Sequence, residues 1–186
     1  MIGIIIGVIV LIMLLALTIF FVIMYNNIIR LKNNISKSWA NIDVLLKQRS
    51  NEIPNLLETV KGYMKHEKKT LESLTRIRSF LDKSESLSKK AAADKKISDL
   101  LKTVFAVAES YPDLKAVENF MKLQKRISGL ENELADRREF YNDSVTIYNI
   151  RIESFPDLLL AKLMHLKPAD LFKANMEDKE YVKVNF

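Results

Sequence analysis

The sequence predicts an all-α protein: one N-terminal transmembrane helix followed by an antiparallel up-and-down helical bundle. Three observations carry this. The first 25 residues hold no charged side chain, and the only polar one before Tyr25 is Thr18. Apolar residues beyond them recur at helical spacing over long stretches. No run alternates apolar and polar residues for long enough to build a sheet, and with 4 Gly and 4 Pro in 186 residues the turns of a β fold are missing.

Met1–Tyr25 is long enough to cross a hydrocarbon core of about 30 Å at about 1.5 Å per residue. Only a helix crosses alone, since backbone polar groups in lipid must be satisfied internally. A cleaved signal peptide fits poorly: no basic stretch leads the run, the run is too long, and no small-residue cleavage site follows. No Lys or Arg precedes the span, whereas Arg30, Lys32 and Lys37 follow it closely. The positive-inside rule then places the N-terminus outside and the rest of the chain in the cytoplasm, a single-pass arrangement in the cell membrane. Tyr25 sits where an interfacial aromatic belongs. Gly3 and Gly7 form a small-xxx-small pair at which another membrane helix could approach.

Two interleaved heptad rows follow. One is Ile28, Ile35, Ile42, Arg49, Leu56, Tyr63, Thr70 and Ile77; the other is Lys32, Trp39, Leu46, Ile53, Val60, Glu67, Leu74 and Leu81. Their phase survives Pro54, which favours one long helix continuous with the anchor and kinked there. The alternative is two helices, with Asn51 as N-cap and Pro54 in the first turn. Residues 82–96, rich in Ser, Lys and Ala, read as a solvated hairpin tip with frayed helix ends. Ile97, Leu100, Leu101, Val104, Phe105 and Ala108 make a shorter helix that Pro112 closes, with Asp113 as cap of the next. That helix, over 113–155, carries Phe120, Ile127, Leu134, Tyr141, Tyr148 and Phe155 in a stripe that drifts as a straight helix requires. Pro156 ends or kinks it, 158–166 is a short apolar helix, and Val182–Phe186 is extended or loose. The expected organisation is an anchor over 1–25, a bundle over 26–175 and a tail over 176–186. The helix breaks favour an intramolecular four-helix bundle over a pure coiled coil.

Composition restricts the chemistry. There is no cysteine, so no disulfide, thiol nucleophile or cysteine-ligated metal. The two histidines, His66 and His165, lie far apart. His66-Glu67 starts a zinc motif, but position 70 is Thr, so a second imidazole is missing from that helix face. No catalytic, cofactor or metal residue is expected.

Three groups of side chains stand out. Arg49, Glu67 and Arg137 or Arg138 interrupt apolar stripes. Arg49 and Arg138 either form interhelical ion pairs that set register, with Glu58, Glu67 and Glu109 as candidate partners for Arg138, or lay their stems on apolar surface with the heads in water. Tyr141-Asn142 and Tyr148-Asn149 recur one heptad apart. They line a groove for a peptide or partner helix, or are core residues with hydroxyls at the rim. Finally, 30–90 carries a net charge of +7 and 91–186 a net −1, within a total of +6. Arg30, Lys32 and Lys37 are placed to meet anionic lipid headgroups, each worth roughly 1 kcal/mol near the surface. No nucleic-acid motif accompanies the charge.

Several segments together resemble the LemA family. They are Trp39 to Asp43 with Lys47 and Arg49; Ile53 to Tyr63; His66-Glu67; Glu109 to Ala116; Asn119-Phe120; Leu123-Gln124; Glu131-Asn132; Arg138; both Tyr-Asn pairs; and Phe155-Pro156. Gln48, Asn51 and Val117 depart from the family pattern. The resemblance implies a prokaryotic source, a membrane helix with a small outer terminus, and a cytosolic helical bundle; it implies no catalytic activity. A magnetosome-membrane branch of that family exists, and no residue here selects it. The expected role is a non-enzymatic membrane-tethered scaffold or adaptor, its partners being the bilayer and other proteins or further copies of itself, with no nucleic acid and no small-molecule substrate. The alternative is a membrane-bound hydrolytic or metal-dependent enzyme.

Overall fold

The computed structural model describes residues 1–173, and the expected tail over 176–186 lies outside them. All regular structure among the described residues is helical: α1 (Ile2–Lys61), a 3-10 turn (Lys65–Glu67), α2 (Lys68–Lys83), α3 (Leu87–Ala108), α4 (Pro112–Lys115), α5 (Glu118–Glu153) and α6 (Asp157–Leu163). The chain divides into two compact units. One joins Met1–Trp39 to Tyr141–Leu171; the other holds Ala40–Phe140 with the stretch that begins at Phe172.

α1 is a single 60-residue helix that runs through Pro54, so Asn51 is an interior residue and not a cap. The expectation that its stripe continues to Leu81 is corrected. The helix stops at Lys61, before Gly62, and Met64 turns inward to 1% exposure while Tyr63 faces water. Gly62 is a poor helix former, and burying Met64 beneath the turn rewards the reversal by roughly 1.5–3 kcal/mol. The heptad match at Tyr63, Thr70 and Ile77 was coincidental.

The segment 82–96 is corrected as well. Only Ser84–Ser86 is a turn; Ser86 caps α3 by accepting a hydrogen bond from the Lys89 N–H. Ala91, Ala93 and Asp94 are buried, because small side chains let this helix approach its neighbours closely. At the other end Asp113 does not cap the long helix. Pro112 opens the four-residue α4 at its first position, and α5 begins afresh at Glu118.

In the unit of Ala40–Phe140 the α1 segment, α2, α3 and α5 form an up-and-down four-helix arrangement. Thr59 lies opposite Asn119, Glu52 opposite Arg126, and Arg49 opposite Glu131, so α1 and α5 run antiparallel. Ile42, Leu46, Ile53, Leu56 and Val60 of α1 are fully buried with Leu74, Ile97, Val104, Phe120, Ile127 and Leu134.

In the other unit, residues 2–23 of α1 are exposed, and the helix is long and apolar enough to cross a membrane. Further along, Ile28 packs against Tyr148, Ile152 and Ala161, bordered by Leu31, Ile35, Leu160, Leu166 and Ala169. α6 closes in a turn beyond Leu163 in which His165 has a φ of 50°. The Leu166 N–H bonds the Ala161 carbonyl and the His165 N–H the Lys162 carbonyl, the paired bonds of a Schellman turn. This turn releases the chain into the irregular stretch 164–173.

Candidate functional site

Two polar constellations are built on these helices, one within each unit. The first surrounds Arg49, whose side chain is fully buried. Its guanidinium donates to the carboxylates of Asp94 on α3 and Glu131 on α5, and to Ser98 Oγ at 2.9 Å. Ser98 in turn donates to Glu131 at 2.8 Å. Arg138, on α5 two turns beyond Glu131, pairs with the other oxygen of Asp94, and its guanidinium lies 5.6 Å over the Phe172 ring. Burial pushes the Asp94 carboxyl above its ordinary value, against the pull of Arg49 and Arg138. Arg49 and Arg138 thus both enter interhelical ion pairs. The expected partners of Arg138 take no part: Glu58 and Glu109 face water, and Glu67, half-buried in the 3-10 turn, makes no ion pair among the described residues. Among the described residues Arg137 pairs only along its own helix, with Glu133 at 3.8 Å.

Asp94 is hard to find from sequence because it lies in a Ser/Lys/Ala-rich stretch with few large apolar residues. A signal was present. Asp94, Ile97, Ser98 and Leu101 stand at i, i+3, i+4 and i+7, so the acid and the hydroxyl share the apolar face. A second pair, Lys90 with Asp43, ties the start of α3 to α1. Burial alone would raise the Asp43 carboxyl, but Lys90 and Lys47 outweigh it and hold it below its ordinary value.

The second constellation is made by the tyrosine-asparagine repeat. The Tyr141 hydroxyl donates to the Asp170 carbonyl at 3.0 Å and the Tyr148 hydroxyl to the Lys167 carbonyl at 3.4 Å. Asn149 pairs with the backbone of Ala169 through both ends of its amide: Nδ2 donates to the carbonyl at 3.0 Å, and Oδ1 accepts from the N–H at 2.8 Å. One face of α5 therefore grips an extended peptide, and that peptide is the chain's own 167–170. Burial keeps both phenols protonated to higher pH than usual, with Asp170 adding to the effect at Tyr141, which suits their role as donors. Trp39 stacks edge-on to Tyr141 at 6.1 Å, and Asn142 is half-buried beside it.

Near the end of α5, Arg151 Nε reaches the buried Asp157 at 3.0 Å. Asp157 stands in the first turn of α6, where a carboxylate also meets the helix dipole. Arg30, Lys32 and Lys37 are exposed beyond the anchor, and Gly3 and Gly7 have open space where a side chain would stand. Among the described residues no group of His, Asp and Glu is arranged to hold a metal ion.

A sequence model of the LemA family matches residues 38–186, four-fifths of the chain. The chain belongs to the LemA family. Protein LemA of Metamycoplasma hominis is 28% identical over 155 residues, which cover 81% of this chain and 69% of that protein. Magnetosome protein MamQ 2 of Paramagnetospirillum magneticum is 32% identical over 81 residues, 44% of this chain and 30% of that protein. Magnetosome protein MamQ of Magnetospirillum gryphiswaldense is 26% identical over 80 residues. The match thus spans under a third of these magnetosome proteins' length. Like the LemA family at large, this chain is a membrane-associated helical protein, and the residues of both constellations lie inside the LemA match.

Proposed function

We propose that the protein is a membrane-tethered scaffold, anchored by the first 25 residues with its helices in the cytoplasm, where they hold a partner protein at the inner leaflet. The observation that carries this is how the inward charges are spent. Arg49, Asp94, Ser98, Glu131 and Arg138 bond one another across three helices. That arrangement fixes register; it offers no reacting group to a substrate. Tyr141, Tyr148 and Asn149 serve likewise as an internal clasp.

What remains open to a partner is apolar surface. Ile77, Phe80 and Leu100 line a groove between α2 and α3 of about 540 Å³, rimmed by Arg76, Lys96 and Asp99. Its shape suits an amphipathic helix laid in a groove. Arg30, Lys32 and Lys37 hold the cytoplasmic end of the anchor against anionic headgroups, and Gly3 and Gly7 offer a contact to a second membrane helix. The magnetosome relatives support a role at a membrane surface.

A photoreactive residue introduced at Phe80 in the full chain, irradiated in intact cells, tests the reading. A discrete protein adduct is expected at position 80 and none from a control at Lys122. Equal or absent crosslinking at the two positions would contradict the scaffold role of this groove.

A further inference from the structure

The turn into α6 and α6 itself expose an apolar stripe that the bundle does not use. Phe155 is 78% exposed, Leu159 58% and Leu163 77%. Leu159 and Leu163 stand one turn apart on α6, whose buried residues are Asp157 and Ala161, and Phe155 stands in the turn that leads into it. Three large exposed apolar side chains so close in the chain mark an interaction surface.

The anchor determines what covers it. Ala161 of α6 and Ile152 of α5 pack on Ile28, three residues past the apolar run. By the helical rise, Ile28 is about 5 Å beyond Tyr25. The headgroup layer on each side of a bilayer is about 5–8 Å thick, from the difference between total and hydrocarbon thickness. Met24, one turn closer to the anchor than Ile28, is only 4% exposed while Val22, Ile23 and Tyr25 stand open, so the unit covers α1 down to the last turn of the apolar run. Ile28, and the face of α6 seated on it, therefore lie at headgroup depth.

We propose that Phe155, Leu159 and Leu163 insert into the same leaflet that the anchor crosses, making α6 an interfacial foot beside the transmembrane helix. The chemistry around the stripe fits a lipid surface. Lys162 and Lys167 are exposed next to it, with long stems that can lie along apolar surface while the ammonium groups reach phosphate. Arg151 and Asp157 pair with each other at the foot of α6, so the Asp157 carboxylate does not meet the membrane unpaired. The foot acts together with the anchor: it rests on the membrane reading above, and it restrains the tilt and rotation of α1, which a lone helix leaves free.

The absence of cysteine makes the test direct, since one introduced cysteine takes a nitroxide label uniquely. Leu159→Cys and Leu163→Cys are labelled in the full chain and reconstituted in vesicles of phosphatidylcholine and phosphatidylglycerol. Leu14→Cys marks the anchor and Lys122→Cys marks water. Oxygen concentrates in lipid and a nickel chelate stays in solution, so their relative effects on spin relaxation report what surrounds each label. Positions 159 and 163 are expected to show an oxygen-to-nickel ratio several-fold above that of position 122 and below that of position 14. A water-like ratio at 159 and 163, with position 14 in lipid, would overturn the foot and leave the anchor intact. Exclusion of both reagents would show a protein covering the stripe, a second copy or another partner, and would equally overturn the proposal. A water-like ratio at position 14 would remove the anchor and the foot together.

Discussion

Arg49 is the residue on which the packing of three helices converges. A buried charge that loses its partner costs about 3–5 kcal/mol, and Arg49→Met leaves the Asp94 carboxylate, 2% exposed, with Arg138 alone. A loss of that size is expected in denaturant melts followed by circular dichroism. Adding Asp94→Leu should return most of it, a coupling that a double-mutant cycle reads directly. Arg138→Met should cost less, about 1–2 kcal/mol, because its side chain is 23% exposed and Asp94 keeps Arg49. The two aspartates respond to pH in opposite senses. Asp43 titrates below its ordinary 3.8 in the fold; its contribution is present above that value and lost as pH falls through the lower folded pKa. Asp94 titrates above its ordinary value; its contribution is present below that value and is lost as pH rises through the higher folded pKa. Melts against pH should therefore show Asp43→Asn losing its deficit relative to the parent chain in acid, whereas Asp94→Asn loses any deficit as pH rises.

The elements rest on a few local signals, and these decided what the sequence revealed. Long apolar stripes pointed to the body of α5 and favoured a single α1 through Pro54 over two helices, since a helix interior imposes its period on every buried residue. Breaks were harder. Gly62–Met64 kept an apparent heptad phase, and the Ser/Lys/Ala stretch before Ile97 looked solvated because alanine helices pack through small contacts that carry little hydrophobic signal. The clasp was half legible: the paired tyrosines and asparagines offered a groove or a core with hydroxyls at the rim, but nothing in them pointed to residues 167–170, far along the chain. Asn149→Ala removes both hydrogen bonds to Ala169, at about 1 kcal/mol each, and should make the stretch 164–173 a preferred site of limited proteolysis. An unchanged cleavage pattern would count against the clasp. His165, at φ 50°, holds a conformation that costs a side-chain-bearing residue about 1–2 kcal/mol. His165→Gly should raise the melting midpoint by a few degrees, the gain being trimmed by the extra freedom of glycine in the unfolded chain.

At the scale of the molecule, an apolar helix is joined to a bundle whose buried charges pair with one another. The soluble part should stand alone. A chain lacking residues 1–25 is expected to be soluble and strongly helical, since its stripes bury one another and the membrane contributes nothing to them; a coil-like circular dichroism spectrum would contradict this. The anchor is expected to cross the membrane with the bundle on the cytoplasmic side, as the run of Arg30, Lys32 and Lys37 after an uncharged apolar segment implies. The most direct test of this topology is a single cysteine at Lys122, whose side chain is 71% exposed, challenged in intact cells with a membrane-impermeant maleimide. No labelling is expected until the cells are permeabilised, and full labelling afterwards. Full labelling of intact cells would place the bundle outside and contradict that topology.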